Sequence, residues 1–222
     1  MSLGSTGHVD AALLYQHRGG SDQSVSKSLG GSLAGCTETG GSPLRTTTTL
    51  RHLLRQPDTV VAPGAYDCLT ATHIEGEGFP AADMTGGGTA VTRVGTPDLG
   101  FTTLTEMRAS AITSTIAVPL IADADTGYRG PFNAYRTVQE YEKAGVAVLH
   151  IEDQAFPKRC GHFDGKAVIP VADMVAKIHA TCDARRDDDF VLIVRTDALA
   201  VTGLDDTLRR CVAYAQAGLS DG

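Results

Sequence analysis

The sequence contains no tryptophan, and Phe and Tyr together bring its aromatic content to only 5%. Its core must therefore draw on Ala, Val, Ile and Leu, as packed α/β proteins do. Excess positive charge is missing too: 19 Lys and Arg face 26 Asp and Glu, a formal charge of −7. Nucleic-acid and anionic-membrane binders need the opposite sign, so neither partner is expected. No apolar run approaches the roughly 18 residues of a membrane helix. Cysteine is sparse and odd in number (Cys36, Cys68, Cys160, Cys182, Cys211), with no CxxC pair. That spacing suits neither a disulfide framework nor a zinc site. The N-terminus has no basic start followed by an apolar stretch, which argues against a secretory signal. A mitochondrial transit segment stays open because the region is rich in Ser and Gly, although Asp10, Asp22 and Glu38 weigh against it. The expected location is the cytoplasm.

What is present is a hydrophobic fraction of 42% in 222 residues, enough for one large domain with a genuine core. Residues 1–45 are set apart. Gly and Ser recur there without period (GGSDQSVSKSLGGSLAGCTETGGS), which predicts a disordered tail. The domain proper is expected over 46–222, opened by a short amphipathic helix in LRHLLRQ that ends before Pro57. Apolar, β-rich runs follow at 59–62, 81–85, 120–125, 146–153 and 190–197. Helical patterns separate them, at about 67–76, 103–115, 132–144, 171–184 and 204–217. This alternation predicts parallel strands joined by right-handed helical crossovers. An open doubly wound sheet and a (β/α)8 barrel both satisfy it. No GxGxxG follows the first strand, and the polar strand ends favour the barrel.

Residues two apart on a strand share a face. In PLIADAD these are Ile121, Asp123 and Asp125; in VAVLHIED, Val146, Val148, His150 and Glu152; in FVLIVRTD, Val191, Ile193, Arg195 and Asp197. Each set begins apolar and ends ionisable, at the C-terminal strand end where the catalytic groups of a parallel barrel gather. Carboxylates crowded together repel unless a cation sits among them. Asp123, Asp125 and Glu152 offer hard oxygen ligands of the kind Mg2+ takes. For the two aspartates alone, a polar strand end or a helix cap is the plainer account. Glu152 and Arg195 on neighbouring strand ends turn the balance toward a site. His150 is either a catalytic group or a structural hydrogen-bond partner of the acids beside it.

A loop of about 17 residues, the length at which loops are usually functional or disordered, carries Lys158-Arg159-Cys160-Gly161-His162. Two cations precede Cys160 and an imidazole follows it. This is the setting of a thiol that donates a proton or attacks an electrophile. Cys68, Cys182 and Cys211 lie instead within helical patterns and read as incidental.

Six segments together are recognisable: VVAPGAYD (60–67), MTGGGTAVTRVGTPDLG (84–100), PLIADADTGYRGP (119–131), LHIEDQ (149–154), PKRCGHFDGK (157–166) and FVLIVRTDALAVTGLD (190–205). The chain from about residue 59 to 218 resembles the isocitrate lyase and phosphoenolpyruvate mutase superfamily, above all its short branch of 2-methylisocitrate lyases and oxaloacetate hydrolases. The resemblance implies a (β/α)8 TIM-barrel fold, with about five βα units present here and the last three missing. It implies Mg2+, or Mn2+, at Asp123, Asp125, Glu152 and Asp98, with Asp123 the closest ligand. Thr85, Gly86, Gly87, Arg195, Gly161 and His162 would bind substrate. Cys160 would act as the general acid, with Arg195, His150 and His162 as further catalytic residues. The implied reaction is cleavage of a 2-hydroxy di- or tricarboxylate to an α-keto acid plus succinate or an analogue. The mutase branch lacks the cysteine, so Cys160 favours carbon–carbon chemistry. The partner implied is a small carboxylate substrate, and full-length relatives are expected to be homo-oligomers, specifically tetramers.

Two features depart from the family pattern. Where its lyases carry a Tyr, two residues before the Ser-Gly-Gly stretch, this chain has Asp83. The chain also stops at Gly222, ahead of a further strand-six glutamate. On that reading the inward-facing Val146, Val148, Val191 and Ile193 lose their cover and the isolated chain is marginally stable. Two alternatives follow: an oxaloacetate hydrolase or decarboxylase, and a truncated, catalytically silent relative.

Overall fold

The computed structural model describes residues 45–107, 110–160 and 163–219. The tail expected over 1–45 therefore lies, Arg45 apart, outside the described residues, and so do the site candidates Gly161 and His162. Five strands form one sheet: β1 (Gly64–Ala65), β2 (Ala82–Met84), β3 (Leu120–Asp123), β4 (Val148–Glu152) and β5 (Val191–Arg195). All neighbours are parallel and the spatial order is β1-β2-β3-β4-β5. A doubly wound sheet reverses direction at a switch point. Here every crossover steps one place the same way, which is the winding of a barrel. No helix among the described residues is long and apolar enough to cross a membrane.

The helices are α1 (Thr46–Leu54), α2 (Cys68–Gly76), α3 (Gly86–Val94), α4 (Leu104–Met107), α5 (Ser110–Thr113), α6 (Pro131–Lys143), α7 (Val171–Ala184) and α8 (Leu204–Leu219). Three elements differ from expectation. The run at 59–62 is not a strand, because Pro63 has no N–H to donate and β1 starts only after it. The helix expected over 103–115 is divided into α4 and α5, with 108–109 outside the described residues. The third, α3, was not anticipated, since GGG has poor helix propensity. Thr85 starts it by accepting the Gly88 N–H on its Oγ1 at 3.1 Å, an N-cap.

The two faces of the sheet bury different partners. Met84, Ala122, Leu149, Ile151 and Leu192 face the helical layer, where Tyr141, Met174 and Ile178 complete the larger core. The opposite face holds Ile121, Val148, Val191 and Ile193, and α1 covers it with Leu50 and Leu53. The expectation that this face is left wet is thus corrected: Val148 is 0% and Val191 5% exposed. Val146 is buried too, but in the larger core, because the strand begins only at Val148 and the Val146 N–H bonds to the Tyr141 carbonyl. Polar contacts seat α1. Arg51 donates to the carbonyls of Asp188 (2.9 Å) and Asp189 (3.0 Å), and Thr47 donates to Asp187 at 2.8 Å. Burying a leucine there contributes about 1.5–3 kcal/mol.

Candidate active site

At the C-terminal strand ends, register brings the ionisable groups together. Asp123 lies beside His150, and Glu152 beside Arg195, all on the α1-covered face. Asp83 is in register with Ile121, one layer deeper. The β3–α6 turn carries Asp125 in a left-handed conformation (φ 56°), which turns its carboxylate back toward β4. Lys177 holds that turn by donating to the Thr126 carbonyl at 3.0 Å, and Tyr141 does so through the Asp123 carbonyl at 2.9 Å.

Lys158 organises the cluster. Its side chain is 4% exposed, and Nζ lies 2.9 Å from Asp98 Oδ2, 3.2 Å from Asp125 Oδ2 and 3.9 Å from Glu152 Oε1. Arg195 reaches the other Glu152 oxygen at 3.5 Å and Asp197 at 2.9 Å. In the sequence Lys158 reads only as a loop cation beside Cys160. The signal that could have found it was the acidic cluster itself, which calls for a buried positive charge. Asp98 sits on a turn, outside any strand alternation, so the resemblance alone pointed to it. Gln154 was missed as well. Its amide donates to Glu152 and to Asp197, both at 3.0 Å, while its oxygen accepts the Arg159 N–H at 3.0 Å.

Charge and burial sort the carboxylates. Burial pushes Glu152 up to about 8, against the pull of Lys158 and Arg195. Burial likewise raises Asp125 in spite of Lys158. For Asp123, burial is outweighed by the charges of His150 and Lys158, which hold it below the usual carboxylate range. His150 stands between two acids, Nδ1 3.8 Å from Asp123 and Nε2 3.8 Å from Asp83, distances of ion pairing rather than hydrogen bonding. Burial opposes its charge, yet Asp123 and Asp83 raise its pKa overall. Asp83 Oδ1 is buried with no hydrogen-bond partner.

The backbone at α3 is partly committed. Thr85 N–H donates to Ala65 and Gly86 N–H to Asp123 Oδ2, each at 3.0 Å. Gly87 N–H makes no hydrogen bond among the described residues, and of the three substrate-binding candidates here it is the one with a donor to spare. Cys160 is half-buried, and its N–H donates to the Asp98 carbonyl at 3.0 Å, which ties the cysteine to the turn bearing an acid of the cluster.

Among the described residues, no group of three His, Cys, Asp or Glu stands ready to hold a metal unaided. The chemistry of the donors nevertheless fits one. Asp98, Asp123, Asp125 and Glu152 are hard oxygen donors gathered at one end of the sheet. Asp123 is the acid suited to ligate directly, because among the described residues no Lys or Arg nitrogen pairs with it and its carboxyl is held below the usual range.

A singly wound parallel sheet with acids, a buried lysine and a cysteine at its C-terminal strand ends defines a barrel-type enzyme site. The family model described as phosphoenolpyruvate phosphomutase matches residues 50–220, and the chain belongs to this family, within the PEP mutase/isocitrate lyase superfamily. It is 48% identical over 177 residues to 2,3-dimethylmalate lyase of Eubacterium barkeri, covering 79% of this chain and 61% of that one. Its fold is similar to that of oxaloacetate acetylhydrolase in complex with 3,3-difluorooxalacetate, with TM-score 0.76, 42% identity, and 78% and 61% of the two chains covered. A phosphonopyruvate hydrolase solved with oxalate and Mg2+ aligns at TM-score 0.70 and 33% identity, over 79% and 61%. The chain thus spans about three fifths of the length of the relatives it matches.

Proposed function

We propose that the protein is a divalent-metal-dependent carbon–carbon lyase acting on a 2-hydroxy di- or tricarboxylate of the 2-methylisocitrate kind, in the cytoplasm. The observation that carries this reading is the meeting of Asp98, Asp123, Asp125, Glu152, Lys158 and Arg195, with Cys160 hydrogen-bonded to the Asp98 turn. Bound Mg2+ or Mn2+ would supply Lewis acidity toward the substrate hydroxyl and carboxylate, held by Asp123 with Asp98, Asp125 and Glu152 in support. The chain's own residues do the remaining work. Gly87 N–H, and the Arg195 guanidinium where its 36% exposed side chain reaches past Glu152 and Asp197, would receive substrate carboxylate oxygens. His150, clasped by two acids, keeps a polar N–H among the cluster's carboxylates. The substrate hydroxyl gives its proton to a carboxylate of the cluster; as its C–O becomes the keto carbonyl, the carbon–carbon bond breaks and the bond's electron pair passes to the departing carboxylate-stabilised fragment. The Cys160 thiol protonates that carbanion and is left as thiolate.

Assay of the folded chain for α-keto acid release tests the reading. Cleavage of 2-methylisocitrate or 2,3-dimethylmalate that requires Mg2+ and stops with chelator is expected; failure on both substrates would overturn it. The likeness to oxaloacetate acetylhydrolase favours a second reading, hydrolysis of oxaloacetate, which oxalate formation in the same assay identifies. Asp83 favours a third, a silent relative, since its buried Oδ1 has no hydrogen-bond partner and a carboxylate replaces the family's phenol.

A further inference from the structure

Gln154 lies two residues beyond Glu152, just past the end of β4, and is 2% exposed. Its amide makes three hydrogen bonds, each of 3.0 Å. Nε2 donates to Glu152 Oε1 and to Asp197 Oδ2, while Oε1 accepts the Arg159 N–H. A primary amide has two N–H donors and one carbonyl acceptor, so every bond it can readily make here is made. The reverse orientation would set oxygen against oxygen. With their other oxygens the same two acids hold Arg195, at 3.5 Å and 2.9 Å. On the loop side, Cys160 follows directly on Arg159, and its own N–H is held by the Asp98 carbonyl at 3.0 Å. The loop is closed at its base by the Gln154–Val168 bridge and by Ala155 N–H on the Ala167 carbonyl at 2.8 Å. Across that ring the Gln154 side chain reaches the main chain just ahead of the thiol.

We infer that Gln154 is the positioning residue for Cys160: one amide fixes the main chain that carries the thiol against the two acids that hold Arg195. The inference rests on the lyase reading above, in which Arg195 receives substrate and Cys160 gives the proton. A general acid must come within about 2.6–3.2 Å of the atom it protonates. A misplacement of about 1 Å can cost about 10²-fold in rate. A thiol on a loop meets that tolerance when its main chain is referred to the groups that also place the substrate. Gln154 supplies this reference through a single rigid amide, with its donors on the Arg195 side and its acceptor on the Cys160 side.

Alkylation of the substrate-free chain with iodoacetamide, read at Cys160 by peptide mass, tests this. Gln154→Met, of similar length, removes all three bonds and should speed modification of Cys160 about fivefold, the scale of one neutral hydrogen bond. Buried Cys182 should stay unmodified, which shows that the variant is folded. Arg159→Pro removes the same N–H from the loop side, and Arg159→Ala, which keeps it, is the reference. The Arg159 side chain is exposed, so this pair leaves the core alone and decides the matter if Gln154→Met does not fold. Relative to the alanine, the proline should give a similar gain. Adding Arg159→Pro to Gln154→Met should give no further gain, because both remove one bond. Gains that multiply in the combination, or an unchanged Cys160 rate in folded Gln154→Met, overturn the inference. Turnover of 2,3-dimethylmalate is the second readout: Gln154→Met should lower kcat about tenfold or more and change KM less than about threefold. A rise in KM with kcat unchanged also overturns it. If Cys160 alkylation follows the expected pattern in a chain without turnover, the positioning stands and the lyase reading fails. Turnover with unaltered Cys160 reactivity in the variants sinks the positioning alone.

Discussion

Lys177 Nζ is buried and donates to the Thr126 carbonyl at the base of the Asp125 turn. Burial lowers its pKa, only partly offset by Asp173 and Asp125. The unfolded chain then binds the extra proton between the folded pKa and about 10.4, the free lysine value, so stability rises with pH across that window. Lys177→Met should remove this rise, seen as a smaller gain in melting temperature between about pH 8 and 10 than the unaltered chain shows. Cys160 makes a complementary case. Cys160→Ser should cost about 10²–10⁴ in turnover, the scale for losing a positioned acid, with an unchanged denaturation midpoint, because the residue lies on a loop and in no apolar cluster. A loss below about threefold would assign the proton to another group. At this scale the sequence was most informative where alternation applies: Asp123, His150, Glu152 and Arg195 do share a face. It was silent about Lys158, because nothing in a local pattern tells which loop cation folds inward.

The starts of α1 and α3 carry the element-scale consequences. A Cβ on Gly86 would overlap the Asp123 carboxylate, whereas Gly87 has open space around it. Gly86→Ala should therefore weaken Mg2+ binding by at least about tenfold, as disturbance of a ligand's support does, while Gly87→Ala leaves metal affinity unchanged in calorimetric titration. For α1, Leu50→Ala should cost about 2–5 kcal/mol in urea denaturation, since the side chain is 1% exposed against Val148 and Val191. Leu54→Ala, 40% exposed, should stay within about 0.5 kcal/mol. Both helices mark limits of sequence reading. The amphipathic pattern predicted α1 but not its seat, which is long-range. GGG concealed α3, whose existence depends on one Thr85 cap and tertiary packing. By contrast α7, with an uninterrupted pattern, runs over Val171–Ala184 as expected.

At the scale of the whole molecule, the sheet has β1 and β5 as its outermost strands, each paired on one side among the described residues. Along α8, Leu204, Leu208 and Val212 recur every fourth position and are 59%, 49% and 58% exposed. Open strand edges and apolar stripes both favour association. Sedimentation velocity should detect species larger than one chain, and Leu208→Lys with Val212→Lys should diminish them; a monodisperse monomer at high concentration would contradict this. The docking of α1 has a consequence for synthesis. Thr47 meets Asp187 across 140 positions of sequence. At about 5–20 residues per second, a ribosome needs roughly 7–28 s to make that interval. Throughout it Leu50 and Leu53 emerge ahead of the strands that shelter them, so α1 is translated early and docks late. A nascent chain paused before Asp187 thus offers these leucines to chaperones, or to its neighbours on the same message.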